Sequence, residues 1–308
     1  MYYFIVNPRS RTGQGGKIWM EIQEKLMENH LPHKAFLTEY PGHARYLADK
    51  LTKNAKESIQ LAVLGGDGTL NEVLDGIADF RHTSLFYIPT GSGNDFARGM
   101  GISSNTSQAL RSLLESCAPV SVDVGAIQSR KSIHRFAVST GIGFDAAICH
   151  EALTSPVKKV LNRLRLGKLT YVFIAVKQLI LCTPADMQIK LDGGTPQNYP
   201  CTYFAAVMNQ RYEGGGIRFC PDARPDDGYL DVCLVSGMKK RKFLIFLLLA
   251  VLGKHTKYKG VHIFRCKSIS IKSSISLPVH RDGESGGYQN EISVKLLKEP
   301  LNVFLPMI

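Results

Sequence analysis

At 308 residues, 44% hydrophobic and 21% charged, the chain is too rich in core-forming residues for intrinsic disorder and long enough to divide into two domains. Its 38 Lys and Arg against 26 Asp and Glu leave a formal net charge of +12. That balance implies an anionic partner: a nucleotide, a nucleic acid or an acidic membrane surface.

The apolar run Tyr2–Val6, stopped by Asn7-Pro8, predicts a buried strand and is too short for a signal peptide. Gly13, Gly15 and Gly16 predict a loop. Ile18–Glu28 has helical spacing, with Ile18, Ile22, Leu26 and Met27 on one face and Trp19 packed in the helix. Lys34–Thr38 is a weak strand and Ala44–Leu51 a helix. Leu61–Leu64 is a strand, Thr69–Ile77 a helix and Leu85–Ile88 a strand, followed by a Gly-rich turn. Repeated βα units predict an α/β domain with a doubly wound, mostly parallel sheet over residues 1–122.

Beyond residue 122 the pattern turns to strands: Phe136–Ser139, Met187–Leu191, Thr202–Val207, Leu230–Val235, His262–Ile271, Ile275–Val279 and Ile292–Leu296. They predict a mainly antiparallel β-sandwich over residues 123–298. Helical insertions fall near 157–182 and 239–254. Leu301–Leu305 is a last strand that returns to complete the first domain with residues 299–308. The longest apolar run, Phe243–Leu252, is about half of the roughly 20 residues that span a bilayer. The seven cysteines form no Cys-x-x-Cys pair and read as buried free thiols in a reducing cytosol.

Chemistry gathers first at Gly65-Gly66-Asp67-Gly68-Thr69. A strand, a glycine turn and a helix start direct free N–H groups and the positive end of the helix dipole at one point, which suits phosphate. The glycines are expected to supply close approach and positive φ. Asp67 would repel a phosphate unless a cation lies between them, so a Mg²⁺-nucleotide is implied. The third glycine of Gly-x-Gly-x-x-Gly is replaced by Ile18, Asn71 or Phe96, and no P-loop fits around Gly16-Lys17. Two more Gly-rich loops, 7–16 and 89–98, follow strands of the same sheet and should line one crevice.

Asn7-Pro8, Gly65–Glu72 and Pro89–Arg98, continued by Asp123-Val-Gly125, Gly141–Asp145, Asp226–Asp231 and Asp282-Gly-Glu284, together resemble the diacylglycerol kinase catalytic domain. The likeness is to the bacterial soluble lipid kinases, which are related to sphingosine and ceramide kinases. It implies an active site in the cleft between an α/β domain and a β-sandwich. It implies ATP contacts at Asn7, Ser10, Arg11, Thr12, Gly13, Gln14, Thr38, Gly66, Asp67, Gly68, Thr69, Leu70, Asn71, Glu72 and Thr90. Arg11 departs from the commoner glycine of the first loop. The resemblance also implies a structural Mg²⁺ held by the Asp227 side chain and the carbonyls of Arg224 and Tyr229, and a homodimer.

Asp282-Gly283-Glu284 is a hairpin signal and, by resemblance, the element supplying the catalytic base. In extended backbone Asp282 and Glu284 would face one side, one accepting the lipid hydroxyl's proton and the other orienting it. The choice inclines to Asp282, and replacing both carboxylates is expected to abolish turnover with the fold intact.

Lys239–Lys242 with Lys254, Lys257 and Lys259 flank an apolar run. Lys158, Lys159, Arg163, Arg165, Lys168 and Lys177 alternate with Val160, Leu161, Leu164 and Leu166. Both patterns suit docking on anionic lipid. No interleaved basic-aromatic patch, reader motif or zinc spacing points to nucleic acid. The sequence therefore reads as a cytoplasmic kinase on the inner face of the membrane, moving the ATP γ-phosphoryl group to diacylglycerol. Phosphatidylglycerol or a sphingoid base is the alternative acceptor. The rival readings are an NAD kinase and a basic lipid-binding module without catalysis.

Overall fold

The computed structural model describes every residue except 54, 56, 104, 106–107, 109–112, 114–117, 130–131, 155–166 and 306–308, and all their side chains but those of Thr12, Thr154 and 167–173. The chain forms two compact units, Met1–Val124 with Leu297–Ile308, and Gly125–Leu296.

In the first unit, β1 (Tyr2–Val6), β2 (His33–Leu37), β3 (Ile59–Gly65), β4 (Thr83–Pro89) and the last strand, β15 (Leu301–Phe304), run parallel in the order β2-β1-β3-β4-β15. Antiparallel β5 (Pro119–Val122) closes the edge. Leu61–Leu64 are all fully buried, because helices cover both faces; such strands read as unbroken apolar runs. One face meets α2 (Gly15–Glu28) through Ile18, Trp19, Ile22 and Leu26. These four occupy one arc at 3.6 residues per turn, and Met27, expected to join them, is exposed. Gly15 and Gly16 belong to α2 rather than to a loop, after the single turn α1 (Ser10–Gly13). Helices α3 (His43–Thr52) and α4 (Asp67–Gly76) pack so closely that a Cβ on Gly76 would lie 2.1 Å from the Arg45 carbonyl oxygen. The short α5 (Asp95–Met100) follows β4.

The second unit holds β6 (Gly125–Ser129), β7 (Ser132–Phe136), β8 (Ser139–Gly143), β9 (Ala185–Leu191), β10 (Gln197–Met208), β11 (Leu230–Ser236), β12 (Val261–Cys266), β13 (Ser268–Arg281) and β14 (Glu284–Leu296). All pair antiparallel in the order β12-β11-β10-β8-β13-β14-β6-β7, and β9 bridges β10 and β13. Alternation sorts the side chains. Ala205, Val207, Val232 and Leu234 enter one core with Ile271 and Ile292. Phe204, Ala206, Met208, Cys233 and Val235 enter the other, beneath α8 (Lys240–Val251).

Three local expectations are corrected. Phe136–Ser139 is broken by a bend at Ala137-Val138 that joins β7 to β8, and His262–Ile271 breaks at Lys267 into β12 and β13. The third correction is α6 (Phe144–Thr154), a helix the sequence reading lacked. Of the expected helix 157–182, α7 (Gly167–Leu181) is described. Lys158, Lys159, Val160, Leu161, Arg163, Leu164, Arg165 and Leu166 lie outside the described residues, as do Cys117 and the side chains of Thr12 and Lys168. Cys220, Cys233 and Cys266 are buried free thiols, whereas Cys201 is exposed.

Candidate active site

The loops after β1, β3 and β4 meet at the carboxyl edge of the parallel sheet, where residues of a doubly wound fold gather. Asn7 joins the first two: its amide donates to the Leu64 carbonyl at 2.8 Å and its Nδ2 to Thr69 Oγ1 at 3.0 Å. The Thr90 amide donates to the Gly65 carbonyl at 2.8 Å, and the Ser10 and Thr90 hydroxyls lie 2.8 Å apart. Gly66 and Gly91 press backbone to backbone: a Cβ on Gly91 would stand 2.7 Å from Gly66 Cα. Close approach, rather than the expected positive φ, is what these glycines provide, since Gly66 is extended at φ −91°. Arg11 keeps the left-handed backbone (φ 50°) that a glycine would favour. It lines a hollow of roughly 350 Å³ with Thr90, Gly91, Ser92, Gly93, Asn94 and Arg98.

The structure divides the predicted nucleotide residues. Asn7, Ser10, Gly66, Asp67, Thr69 and Thr90 share this edge, with Gly68 in the first turn of α4. Thr38 extends β2 beside β1, its amide donating to the Val6 carbonyl at 2.8 Å. Gly13, the last residue of α1, and Gln14, between α1 and α2, are exposed. The side chains of Leu70 and Asn71 are buried. Both oxygens of Glu72 accept amides at the start of α3, from Gly42 at 2.8 Å and Ala44 at 3.2 Å. Asp67 Oδ1 accepts the Phe96 amide at 3.4 Å. Burial, then the charges of Asp67 and Asp95, push the Tyr87 phenol pKa well up.

In the second unit, Arg281 pairs with Glu284 across a two-residue turn in which Asp282 (φ 43°) and Gly283 (φ 81°) are both left-handed. That is the backbone of a tight Asp-Gly hairpin. It corrects the expectation that Asp282 and Glu284 project together from extended chain. The Asp282 carboxylate is committed to the β7–β8 bend. Its Oδ2 accepts the Ala137 amide at 2.9 Å, and its Oδ1 accepts those of Val138 at 2.9 Å and Ser139 at 3.0 Å. Glu284 opens β14, half-buried.

Below the hairpin lies a buried polar cluster absent from the sequence reading. His280 Nε2 is 3.3 Å from Asp145 Oδ2 and 3.3 Å from Glu213 Oε1. The donor atoms of Cys149, Glu213 and His280 lie within 4.8 Å of one another. Burial alone would lower the imidazole pKa; the charges of Glu213, Asp145 and Asp282 overcome it and raise it to about 9. Two carboxylates outweigh the long contact, 3.4 Å, between the Gly283 amide and Nδ1. The only hint in the sequence was Asp145, inside the Gly141–Asp145 motif; Glu213 comes from the segment after β10, where it bridges Ile217, and His280 from β13.

The 224–231 loop gathers acids. Asp227 accepts the Tyr229 amide at 3.1 Å and pairs with Arg265, whose guanidinium lies over the Tyr229 ring at 4.5 Å. Arg224 pairs with Asp226. Burial raises the Asp231 pKa to about 6; Arg265 opposes this, and Asp227 and Asp222 add to it.

Residues 1–127 match the family model of the diacylglycerol kinase catalytic domain, and residues 139–304 that of the YegS C-terminal NAD kinase beta sandwich-like domain. The Bacillus subtilis (strain 168) protein named "Putative lipid kinase YtlR" is 32% identical over 292 residues, covering 93% of this chain and 94% of its own. A diacylglycerol kinase of Staphylococcus carnosus (strain TM300) is 29% identical over 303 residues, covering 98% and 94%. A solved diacylglycerol kinase from Bacillus anthracis str. Sterne aligns with a TM-score of 0.70 at 22% identity, over 99% of this chain and 96% of that one. An NAD kinase from Archaeoglobus fulgidus in complex with ATP aligns at 0.53 and 15%, over 99% and 94%. At those identities the structural likeness is one of fold. Matches that run through both units make the chain an ATP-dependent kinase. It belongs to the bacterial diacylglycerol kinase and lipid kinase family, and its activity is that of a lipid kinase.

Two outcomes follow from the second unit. Asp282→Ala leaves three backbone donors unanswered and should lower the unfolding free energy by ~2–3 kcal/mol. In contrast, Glu284→Gln should change it by no more than ~0.5 kcal/mol; equal stability of the two variants in urea titration would refute the clasp. His280 holds its proton to about pH 9 when folded, against 6.5 for the free ring. Its stabilisation is complete below pH 6.5 and is lost as pH rises through 9, at up to ~1.4 kcal/mol per pH unit. His280→Gln should flatten that segment of the stability curve, and an unchanged slope would count against the assignment.

Proposed function

We propose that the acceptor is diacylglycerol and the product phosphatidate. ATP enters with Mg²⁺ as the substrate complex. The 66–69 turn, Ser10 and Thr90 receive the phosphates, and Asp67 faces the metal or its waters. The acceptor's hydroxyl oxygen forms a bond to the γ-phosphorus while the bond to the ADP oxygen breaks. The hydroxyl proton passes to Glu284. One observation carries that last assignment: the Asp282 carboxylate is occupied by three backbone amides, which makes it a positioning group and leaves the proton to its half-buried neighbour. A base in this role contributes roughly 10²–10⁴-fold. The acceptor is met at a membrane surface rather than within a membrane-spanning bundle: no helix, among the described residues, is long and apolar enough to cross.

The residues of the 224–231 loop fit a hard cation. Asp227 and the carbonyls of Arg224 and Tyr229 are oxygen donors, the chemistry that a hard cation such as Mg²⁺ takes. An ion held there would stiffen the loop by competing with Arg265 for Asp227.

The deciding experiment gives labelled ATP and Mg²⁺ to the purified chain with a total lipid extract and resolves the products by thin-layer chromatography. Label should appear in phosphatidate, and Glu284→Gln should reduce it by at least 10²-fold with little change in KM for ATP. Label on phosphatidylglycerol or a sphingoid base would move the acceptor, and, in a parallel reaction supplied with NAD, label on NAD with none on lipid would sink the reading. For the loop, Mg²⁺ without nucleotide should raise the melting temperature by about 2–4 °C per kcal/mol of linked binding. Asp227→Asn should abolish that shift; a shift that survives places the ion elsewhere.

A further inference from the structure

Helix α8 has two apolar faces. Phe243, Phe246 and Ala250 are fully buried in the second unit's core. At 100° per residue, Leu244, Ile245, Leu248, Val251 and Leu252 fall on the opposite side, and all are between 44% and 64% exposed. A surface helix ordinarily sets charge there. Here the charge sits at the two ends: Lys239, Lys240, Arg241 and Lys242 before the apolar stretch, Lys254, Lys257 and Lys259 after it, all exposed. There is no Asp or Glu between Asp231 and Asp282. The patch extends to α7, because Lys240 Nζ donates to the Ile180 carbonyl at 2.6 Å, and Ile180 and Leu181 are 70% and 63% exposed.

We propose that this face is an interfacial docking surface for an anionic phospholipid bilayer. The twelve residues of α8 span about 18 Å, too short to cross, so the helix lies in the plane of the interface. Its Leu, Ile and Val side chains enter the acyl boundary, and the flanking Lys and Arg reach lipid phosphates. Charge complementarity selects this occupant over a second copy of the chain. A two-fold contact sets the same patch against itself, which would bury two basic rims together with no acid from 232 to 281 to answer them. Docking requires no acceptor and stands apart from the choice of phosphoryl acceptor.

The test is co-sedimentation of the full chain with vesicles of phosphatidylcholine plus phosphatidylglycerol, against phosphatidylcholine alone. Wild type should partition to the anionic vesicles and be released by added salt. Leu248→Ser with Val251→Ser should weaken partitioning more than tenfold, and alanine at Lys239, Arg241 and Lys242 by about fivefold per charge. Both variants should keep the wild-type circular dichroism and should still phosphorylate a short-chain, water-soluble diacylglycerol. Undiminished binding by the Leu248/Val251 variant would overturn the proposal. So would equal binding to neutral vesicles, or a wild-type dimer that this variant dissolves. Failure of the diacylglycerol reading registers separately, as vesicle binding without phosphatidate.

Discussion

The Asp282 carboxylate fixes the geometry of the second unit at the hairpin. Three amides from residues 137–139 converge on its oxygens, and the Asp282 amide returns a bond to the Ser139 carbonyl at 2.8 Å. The same bend is gripped from its other side. Asn209 Nδ2 donates to the Ala137 carbonyl at 2.9 Å, and the Asn209 amide to that of Val138 at 2.8 Å. One carboxylate thereby ties the β13–β14 hairpin to the β7–β8 junction and to the end of β10. Charge-assisted bonds of this kind are stronger than neutral ones. Glu284 inherits its place from the register that the clasp sets, and His280 is held beneath by Asp145 and Glu213.

The first unit depends on a different constraint, the contact between Gly66 and Gly91. Each glycine is required by the other's backbone, since a Cβ on Gly66 would sit 3.1 Å from Gly91 Cα. This contact draws the loops after β3 and β4 together, and Asn7 and Ser10 add the loop after β1 through Thr69 and Thr90. Three loops distant in sequence become one phosphate-sized edge by backbone contact and side-chain hydroxyls, without a Walker or Rossmann glycine pattern.

Much of this was legible in the sequence. The parallel sheet showed because buried strands such as Leu61–Leu64 are continuously apolar and run straight into glycine turns. The three loops showed because their glycines and hydroxyls cluster just after those strands. Other features were hidden for physical reasons. Phe136–Ser139 looks like strand but must bend to present its amides to Asp282, a partner more than 140 residues away. The Asp145–Glu213–His280 cluster has no local signature, because three separate elements build it. Helix α8 read as an apolar run with basic ends, suited to lipid docking; only its burial pattern shows that one apolar face belongs to the core. Glu72 belongs to a legible motif, yet its carboxylate is spent on the start of α3.

Backbone strain separates the residues further. Arg11 in α1, Asn94 just before α5 and Asp282 in the β13–β14 turn all have positive φ. Asn94 and Asp282 offset the cost locally: Asn94 Oδ1 accepts the Gly91 amide at 3.0 Å, and Asp282 accepts three amides. Short polar side chains tolerate this region for that reason. Arg11 has no such local device. Holding a long side chain left-handed costs ~1–2 kcal/mol, and a glycine there would avoid it. Arginine preserves the backbone that glycine would favour, and Arg11 lines the same hollow as Thr90 and Gly91. Backbone outliers of this kind cluster at functional sites, and a positive charge suits the phosphates proposed to enter that hollow.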